Sequence, residues 1–258
     1  MKQILMIPDK NYLKESLELA TEYGLGFEYN DFFAPDVLDD DEKLKELIAL
    51  YKQQELPAYT TVHGAFYDVM PFSMDARIRE VAVIRIGQSI EVAKKLGAKA
   101  VVFHTNYNPM LNTDHYVQAW IKANAEFWSG VLKAHPDIHI YLENMFDTGP
   151  DILEALSEEL CEYENYGVCL DYSHATLSKT APEIWAEKLG RFIKHVHIND
   201  HDGIHDLHLA WGDGVTDRAK FYACYEKYMQ GAAVLVETSV WESKKRSVEL
   251  LKKEGFFA

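Results

Sequence analysis

Residues 139–173 read HIYLENMFDTGPDILEALSEELCEYENYGVCLDYS, and this stretch decides the fold class. It begins with a mostly apolar run at 139–145 and ends with a second one at 167–173. Between them, Pro150 and Asp151 are typical of the first turn of a helix. Two apolar strands joined by a helix predict neighbouring parallel strands in a buried sheet.

The same alternation of strand and helix recurs along the whole chain. Signals at helix ends support it: Asp75, with Ser73, can begin one helix and Gly97 can end it, while Ser239 and Glu242 fit a capping box. The other predicted strands are 3–8, 26–30, 58–64, 98–105, 193–200 and 233–239.

Eight such units predict an α/β protein with a single (β/α)8 TIM barrel domain over residues 1–258. No Pro-rich or Ser-rich linker divides the chain. The alternative is an open, doubly wound sheet, which calls for a Gly-rich dinucleotide turn after the first strand. The sequence has PDKNY there, at residues 8–12, so the barrel is favoured.

Composition narrows the class of protein further. A formal net charge of -15 disfavours a nucleic acid partner, and no apolar run is long enough to predict a membrane span. The N-terminus does not resemble a signal peptide, so we expect a cytoplasmic protein. The three cysteines have no C-x-x-C spacing, which argues against a thiolate zinc site and a disulfide framework.

Metal-binding side chains recur near the carboxyl ends of six successive predicted strands. They are His63, His104, Glu143, Asp171, His197 and Glu237. Barrel enzymes keep their sites at that face, so closure of the sheet would bring these side chains to one rim. The pair Asp171 and His174 and the pair Asp206 and His208 add to the same rim.

A set of imidazoles and carboxylates without thiolates suits zinc best, with manganese, cobalt or magnesium as alternatives. The number of ligands exceeds what one zinc ion needs. We therefore expect two or three divalent ions.

Three further positions near this rim have open interpretations. Glu28, at the end of the second strand, is a candidate for substrate binding or for a rim ion pair. Gly212 and Gly214, in WGDGVTDR at 211–218, are candidates for binding a substrate phosphate before a helix. The alternative for that loop is a tight turn with Thr216 as a helix cap. His195 is expected to face the surrounding helices.

Seven motifs together resemble the xylose isomerase-like TIM barrel superfamily, which contains sugar phosphate isomerases and epimerases and endonuclease IV (AP endonuclease family 2). The motifs are TVHGAFYD (61–68), VVFHTNY (101–107), YLENM (141–145), GVCLDYSHA (167–175), HVHINDHD (195–202), DLHLAWGDG (206–214) and VLVETS (234–239). The resemblance implies that Glu143, Asp171, His197 and Glu237 bind a central metal ion. It places His174 beside the substrate or a neighbouring ion.

The endonuclease IV branch implies a larger ligand set. By this resemblance, three zinc ions would be bound. The first would be bound by His63, His104 and Glu143, the second by Glu143, Asp171, His197 and Glu237, and the third by His174, Asp206 and His208. The sequence departs from the endonucleases in its first two loops, which are short and acidic, whereas endonucleases carry basic or aromatic loops that grip DNA.

Three functions follow as hypotheses. The first is a metal-dependent isomerase or epimerase of a small sugar or sugar phosphate, acting through a metal-chelated enediolate. Glu143 and Glu237 would move the proton, and His174 would orient a substrate hydroxyl. The second is a zinc-dependent phosphoester hydrolase, either an abasic-site endonuclease or a small phosphodiesterase. The third, a non-catalytic barrel, is disfavoured because the ligand set has no gap. A homo-oligomer is possible, and the sequence does not identify the sugar.

Overall fold

A computed structural model of the protein describes residues 2–66 and 68–257. Within that part of the chain, eight parallel strands close into a barrel in the order β1 to β8, with β8 pairing with β1. The strands are β1 Ile4–Met6, β2 Gly26–Tyr29, β3 Thr60–His63, β4 Ala100–His104, β5 His139–Glu143, β6 Tyr166–Asp171, β7 Ile193–Ile198 and β8 Ala233–Val236. The predicted TIM barrel is confirmed, although each of the eight strands is shorter than its predicted run.

Helices surround the barrel and fill the connections between its strands. They are α1 Leu13–Tyr23, α2 Pro35–Leu38, α3 Asp41–Lys52, α4 Ala76–Leu96, α5 Asp114–Ala134, α6 Asp151–Leu160, α7 Tyr172–Leu177, α8 Pro182–Leu189, α9 Arg218–Tyr228 and α10 Trp241–Lys253. Two 3-10 turns, Lys10–Tyr12 and Pro109–Leu111, lie in the loops after β1 and β4. None of the helices described combines the length and apolar character needed to cross a membrane.

The helix-end signals of the sequence have mixed outcomes. Asp75 caps α4 by accepting a hydrogen bond from the backbone N–H of Arg77, and Gly97 ends α4 with a φ of 73°. Both assignments are confirmed. At α10 the capping residue is Val240, which offers no side-chain bond. The predicted capping box of Ser239 and Glu242 is therefore wrong.

Alternation along each strand separates two environments. On β4, Val101 and Phe103 point outward into the large apolar core between barrel and helices, whereas Ala100 and Val102 point inward. The inward set continues to His104 at the end of the strand, because side chains two apart share a face. On β4, therefore, apolar side chains lie in the barrel interior and a polar one lies at the carboxyl end of the strand.

Strand register brings the predicted metal ligands side by side. His104 pairs with Glu143 across β4 and β5, and Asp171 pairs with His197 across β6 and β7. Paired residues of neighbouring strands lie within about 5 Å of each other. Residues that are far apart in sequence therefore converge at one end of the barrel.

Candidate functional site

A cavity of about 430 Å³ opens at the carboxyl ends of the strands. Seven of the nine predicted metal ligands line it, namely His63, His104, Glu143, His174, Asp206, His208 and Glu237. The other two, Asp171 and His197, are fully buried beside it. The structure therefore brings the whole predicted ligand set to one place, while the role of each residue stays a prediction.

Within this set, three groups of side chains have ligand atoms within 4.8 Å of one another. The groups are His63, His104 and Glu143; Glu143, Asp171 and His197; and His174, Asp206 and His208. Glu237 adjoins the second group, because its Oε2 lies 3.3 Å from His197 Nδ1. Glu143 is common to two groups and is placed to bridge them.

Backbone carbonyls fix the orientation of three of the histidines. The Nδ1 atoms of His63, His174 and His208 lie 3.0, 2.8 and 3.1 Å from the carbonyl oxygens of Gly64, Asn144 and Glu237, respectively. A carbonyl only accepts hydrogen bonds, so each of these nitrogens carries a proton. The Nε2 atoms are then the ones available to a cation. A hydrogen bond from the other ring nitrogen to a backbone carbonyl commonly orients a metal-binding histidine.

In His197 the two ring nitrogens are exchanged: Nε2 contacts a buried carboxylate beneath the cavity, and Nδ1 faces the site. Its Nε2 lies 3.1 Å from Glu28 Oε1, which leaves Nδ1 facing the carboxylates of the site. Glu28 Oε2 lies 3.0 Å from His195 Nε2 and accepts a hydrogen bond of 2.7 Å from Thr61 Oγ1. Glu28 and both histidines have 0% exposure.

These contacts correct two expectations from the sequence. Of the two interpretations of Glu28, contact with substrate does not fit, because the carboxylate is fully buried beneath the cavity. Its contacts with His195 and His197 fit the alternative, an ion pair, but inside the barrel and not at its rim. His195 points into the barrel, where its ring stacks on Tyr141 at 5.9 Å, and does not face the helices. Residues two apart on a strand share a face, so His195 had to point the same way as His197.

Three buried carboxylates lie close together in the site, and a cation would relieve the repulsion between them. Burial raises the pKa of Asp171 to about 7, and the neighbouring Glu237 and Glu143 carboxylates contribute to this rise against the opposing effect of His174. Among the described residues, Asp171 Oδ2, Glu143 Oε2 and Glu237 Oε2 are buried with no hydrogen-bond partner. Carboxylate oxygens left in this state fit a divalent cation.

Glu143 and Glu237 differ from Asp171 in their ionisation. Burial alone would raise the pKa of Glu143, but His197 and His104 lower it well below its ordinary value. Burial would also raise the pKa of Glu237, but the effect of His197 and His208 is larger, so that pKa is lowered too. Both glutamates are therefore ionised and able to bind a cation or accept a proton.

The third group lies at the mouth of the cavity. Asp206 Oδ2 is 3.2 Å from His174 Nε2 and 3.1 Å from His208 Nε2. Burial would lower the pKa of His208, but its hydrogen bond with Asp206 raises the pKa to about 10. Without a cation these three residues stabilise each other as ion pairs.

The glycine loop after β7 does not present its N–H groups to the cavity. The Asp200 carboxylate accepts hydrogen bonds from the backbone N–H groups of His201, Gly212 and Thr216, each at 3.0 Å, and a further backbone bond from Gly214. The anion bound by this loop is thus a side chain of the protein. The expected phosphate-binding role of Gly212 and Gly214 is corrected accordingly.

The alternative interpretation of this loop, a turn capped by Thr216, is also wrong in its detail. The cap of α9 is Asp217, which accepts a hydrogen bond from the N–H of Lys220.

Asn144 is a contributor that the sequence did not single out. Its side chain accepts a hydrogen bond of 2.9 Å from the N–H of Asp171 and donates one of 3.0 Å to the carbonyl of the same residue. Its carbonyl oxygen orients His174. The position of Asn144 directly after Glu143 in YLENM was the available signal, because the carboxyl ends of barrel strands carry the site.

Known proteins share both the sequence pattern and the fold. Residues 17–254 match the family described as Xylose isomerase-like TIM barrel. The uncharacterized protein MJ1311 of Methanocaldococcus jannaschii is 29% identical over 223 residues, which cover 82% of this chain and 74% of that protein.

Two solved structures match almost the full length of the chain. The TTHB071 protein of Thermus thermophilus, solved after soaking with ZnCl2, has a TM-score of 0.78 at 25% identity and covers 100% of this chain and 99% of its own. A D-tagatose 3-epimerase-like protein has a TM-score of 0.78 at 26% identity, with coverage of 98% and 96%. The family match spans β2 to β8 and includes all seven sequence motifs. The chain belongs to the xylose isomerase-like TIM barrel family.

Proposed function

We propose that this protein is a metal-dependent epimerase or isomerase of an unphosphorylated sugar. One observation carries the proposal: two buried carboxylates lie close to the same histidine nitrogen. Glu143 Oε2 and Glu237 Oε2 are 3.4 and 3.3 Å from His197 Nδ1. Similarity to a D-tagatose 3-epimerase-like protein supports the same class of reaction.

The lining of the cavity favours a neutral substrate over a sugar phosphate. Among the described residues that line it, none is a lysine or arginine. Phosphate groups are normally bound by such cations or by free backbone N–H groups at a helix start. The N–H groups of the glycine loop bind Asp200 instead.

Each residue of the site has a separate role in the proposed reaction. Glu143, Asp171, His197 and Glu237 would hold a divalent ion, which supplies Lewis-acid polarisation of a substrate carbonyl. One of Glu143 and Glu237 removes the proton from the carbon beside that carbonyl, and the other returns a proton to the opposite face. His174 donates a hydrogen bond to a substrate hydroxyl.

Proton exchange with solvent tests this function directly. We expect the zinc- or manganese-loaded protein, incubated in D2O with a panel of unphosphorylated ketoses, to form an epimer or aldose that carries deuterium at one carbon. Mass spectrometry and NMR measure both products, and the matching ketose phosphates are the control. Failure to incorporate deuterium into any sugar of the panel would contradict the proposal.

A second candidate function, phosphoester hydrolysis, is favoured by one specific observation. His174, Asp206 and His208 form a third group able to hold an ion, in addition to the two that share Glu143. Three zinc ions would suit phosphoester cleavage. Elemental analysis together with assays on an abasic duplex and on bis(p-nitrophenyl) phosphate separates the candidates, because efficient cleavage by a three-zinc protein would favour hydrolysis.

We further expect Glu28 to position His197 for the metal. Replacing Glu28 by glutamine removes the charge that holds His197 Nε2 and His195 Nε2. Loss of a carboxylate that contacts a metal-binding histidine weakens metal binding by about 10- to 100-fold. Competition with a chelating dye measures the zinc dissociation constant.

Thr61→Val is the matched control for Glu28→Gln. It removes one hydrogen bond to Glu28 but leaves the carboxylate in contact with both histidines, so we expect a much smaller loss of zinc affinity. A purely structural role would lower the melting temperature of the metal-free Glu28→Gln protein and leave its zinc affinity unchanged. That result would overturn the positioning role.

A further inference from the structure

A second cavity, of about 600 Å³, lies beside the first, and we refer to it as the apolar trough. The loops after β3, β4 and β5 form its walls, and its lining is mainly aromatic and aliphatic. Its rim includes Met74, Leu111 and Phe146, which are 100%, 51% and 59% exposed. Large apolar side chains gathered around a concave surface are typical of a binding site.

The floor of the apolar trough is firmly packed. The ring centroids of Phe72 and Tyr107 lie 5.6 and 5.5 Å from that of the buried Trp120. The side chain of Asn106 donates a hydrogen bond of 3.0 Å to the carbonyl of Val69, which ties the loop after β4 to the loop after β3. The trough is therefore preformed.

Two residues join the apolar trough to the metal site. Phe66 and Met145 line both cavities. The ring of Phe66 lies 5.1 Å from the ring of His63 and 5.0 Å from that of His104, measured between centroids. A molecule held at these histidines can extend over Phe66 directly into the trough.

The charge of the apolar trough limits what enters it. Of the lining side chains that the structure describes, only Asp68 is charged, and it is acidic. An anionic group such as phosphate or carboxylate would find no cation there, whereas an alkyl or aryl group would bury apolar surface.

We propose that the substrate carries an apolar substituent, alkyl or aryl, which the apolar trough binds while the polyhydroxy ketone end lies at the metal site. This inference rests on the proposed function and specifies its substrate class. The substituent is attached where it leaves the ketone free, because the proton is removed from the carbon beside that ketone. For a glycoside, whose anomeric carbon is blocked, an oxidation of a ring hydroxyl must first supply the ketone.

Two hydroxamates that differ only in chain length test the connection between the cavities. Both chelate zinc through adjacent oxygens, and octanohydroxamate carries the longer alkyl chain. Each buried methylene increases affinity about fourfold. If the trough buries only part of the longer alkyl chain, octanohydroxamate binds about 30-fold more tightly than acetohydroxamate. Isothermal titration calorimetry of the zinc-loaded protein measures both constants.

Variants of the rim make the test specific. In the double variant Leu111→Asn, Phe146→Ser we expect the advantage of octanohydroxamate to fall below about threefold, with acetohydroxamate binding unchanged. Val83→Ser, a change at an exposed α4 residue that does not line the trough, should keep the full advantage.

The possible failures point to different causes. Equal binding of the two hydroxamates, or an advantage that survives the double variant, overturns the substrate assignment and leaves the proposed function standing. If neither hydroxamate binds the zinc-loaded protein, chelation at the metal site is wrong, and the proposed function and the substrate assignment both fall.

Discussion

Replacing Glu143 by glutamine is expected to remove at least one metal ion per chain and to lower sugar turnover by about 10³-fold or more. Glu143 is the side chain common to two of the groups of potential ligands, and its carboxylate lies 3.6, 3.5 and 3.4 Å from His63, His104 and His197. A neutral amide cannot bridge two cations. Elemental analysis and the deuterium-exchange assay measure the two effects.

The matched control for this variant is Glu91→Gln, which makes the same chemical change at an exposed position of α4. We expect wild-type metal content and turnover there. Circular dichroism verifies that both variants keep the barrel. A Glu143→Gln protein that retains all its ions would contradict the bridging position assigned to this residue.

The fold was predictable because its signals are local. Each strand is an apolar run, and the alternation of inward and outward side chains follows from strand geometry alone. The expectation that His195 faces the helices conflicts with this geometry. Its spacing of two from His197 already implied an inward side chain, next to Glu28.

The convergence of the predicted metal ligands at one end of the barrel was predictable for a related reason. An inward-facing side chain at the carboxyl end of a barrel strand lies at the common rim, so residue type and strand position together located six of the nine residues. The other three, His174, Asp206 and His208, follow β6 and β7 at the same end of the barrel. Closure of the barrel then brought the nine residues together without any further information.

The glycine loop and the apolar trough were not predictable in this way. Whether the N–H groups of Gly212 and Gly214 face a ligand or a side chain depends on where Asp200 points, and no local pattern encodes that direction. The apolar trough is formed by three loops that are remote in sequence. Their apolar residues, such as Met74 and Phe146, have no periodicity that marks them as a surface.

Replacing Glu237 by glutamine is expected to lower the rate of epimerisation by about 10³-fold while proton exchange persists from one side only. Glu237 is 6% exposed and lines the cavity, and its lowered pKa keeps it ionised as a base. If Glu143 and Glu237 serve opposite faces of the substrate, the Glu237→Gln variant still removes the proton that faces Glu143. The epimer whose proton faces the substituted side chain loses exchange, and the other epimer retains it.

This one-sided exchange separates a proton-transfer role from a purely metal-binding one. Assays at excess zinc compensate for weaker binding of the ion, since Glu237 adjoins His197 in the same group. Loss of exchange from both epimers at full metal content would mean that Glu237 acts only through the ion. Retained epimerisation would show that the proton is moved by another group, and the pairing of Glu143 with Glu237 would have to be abandoned.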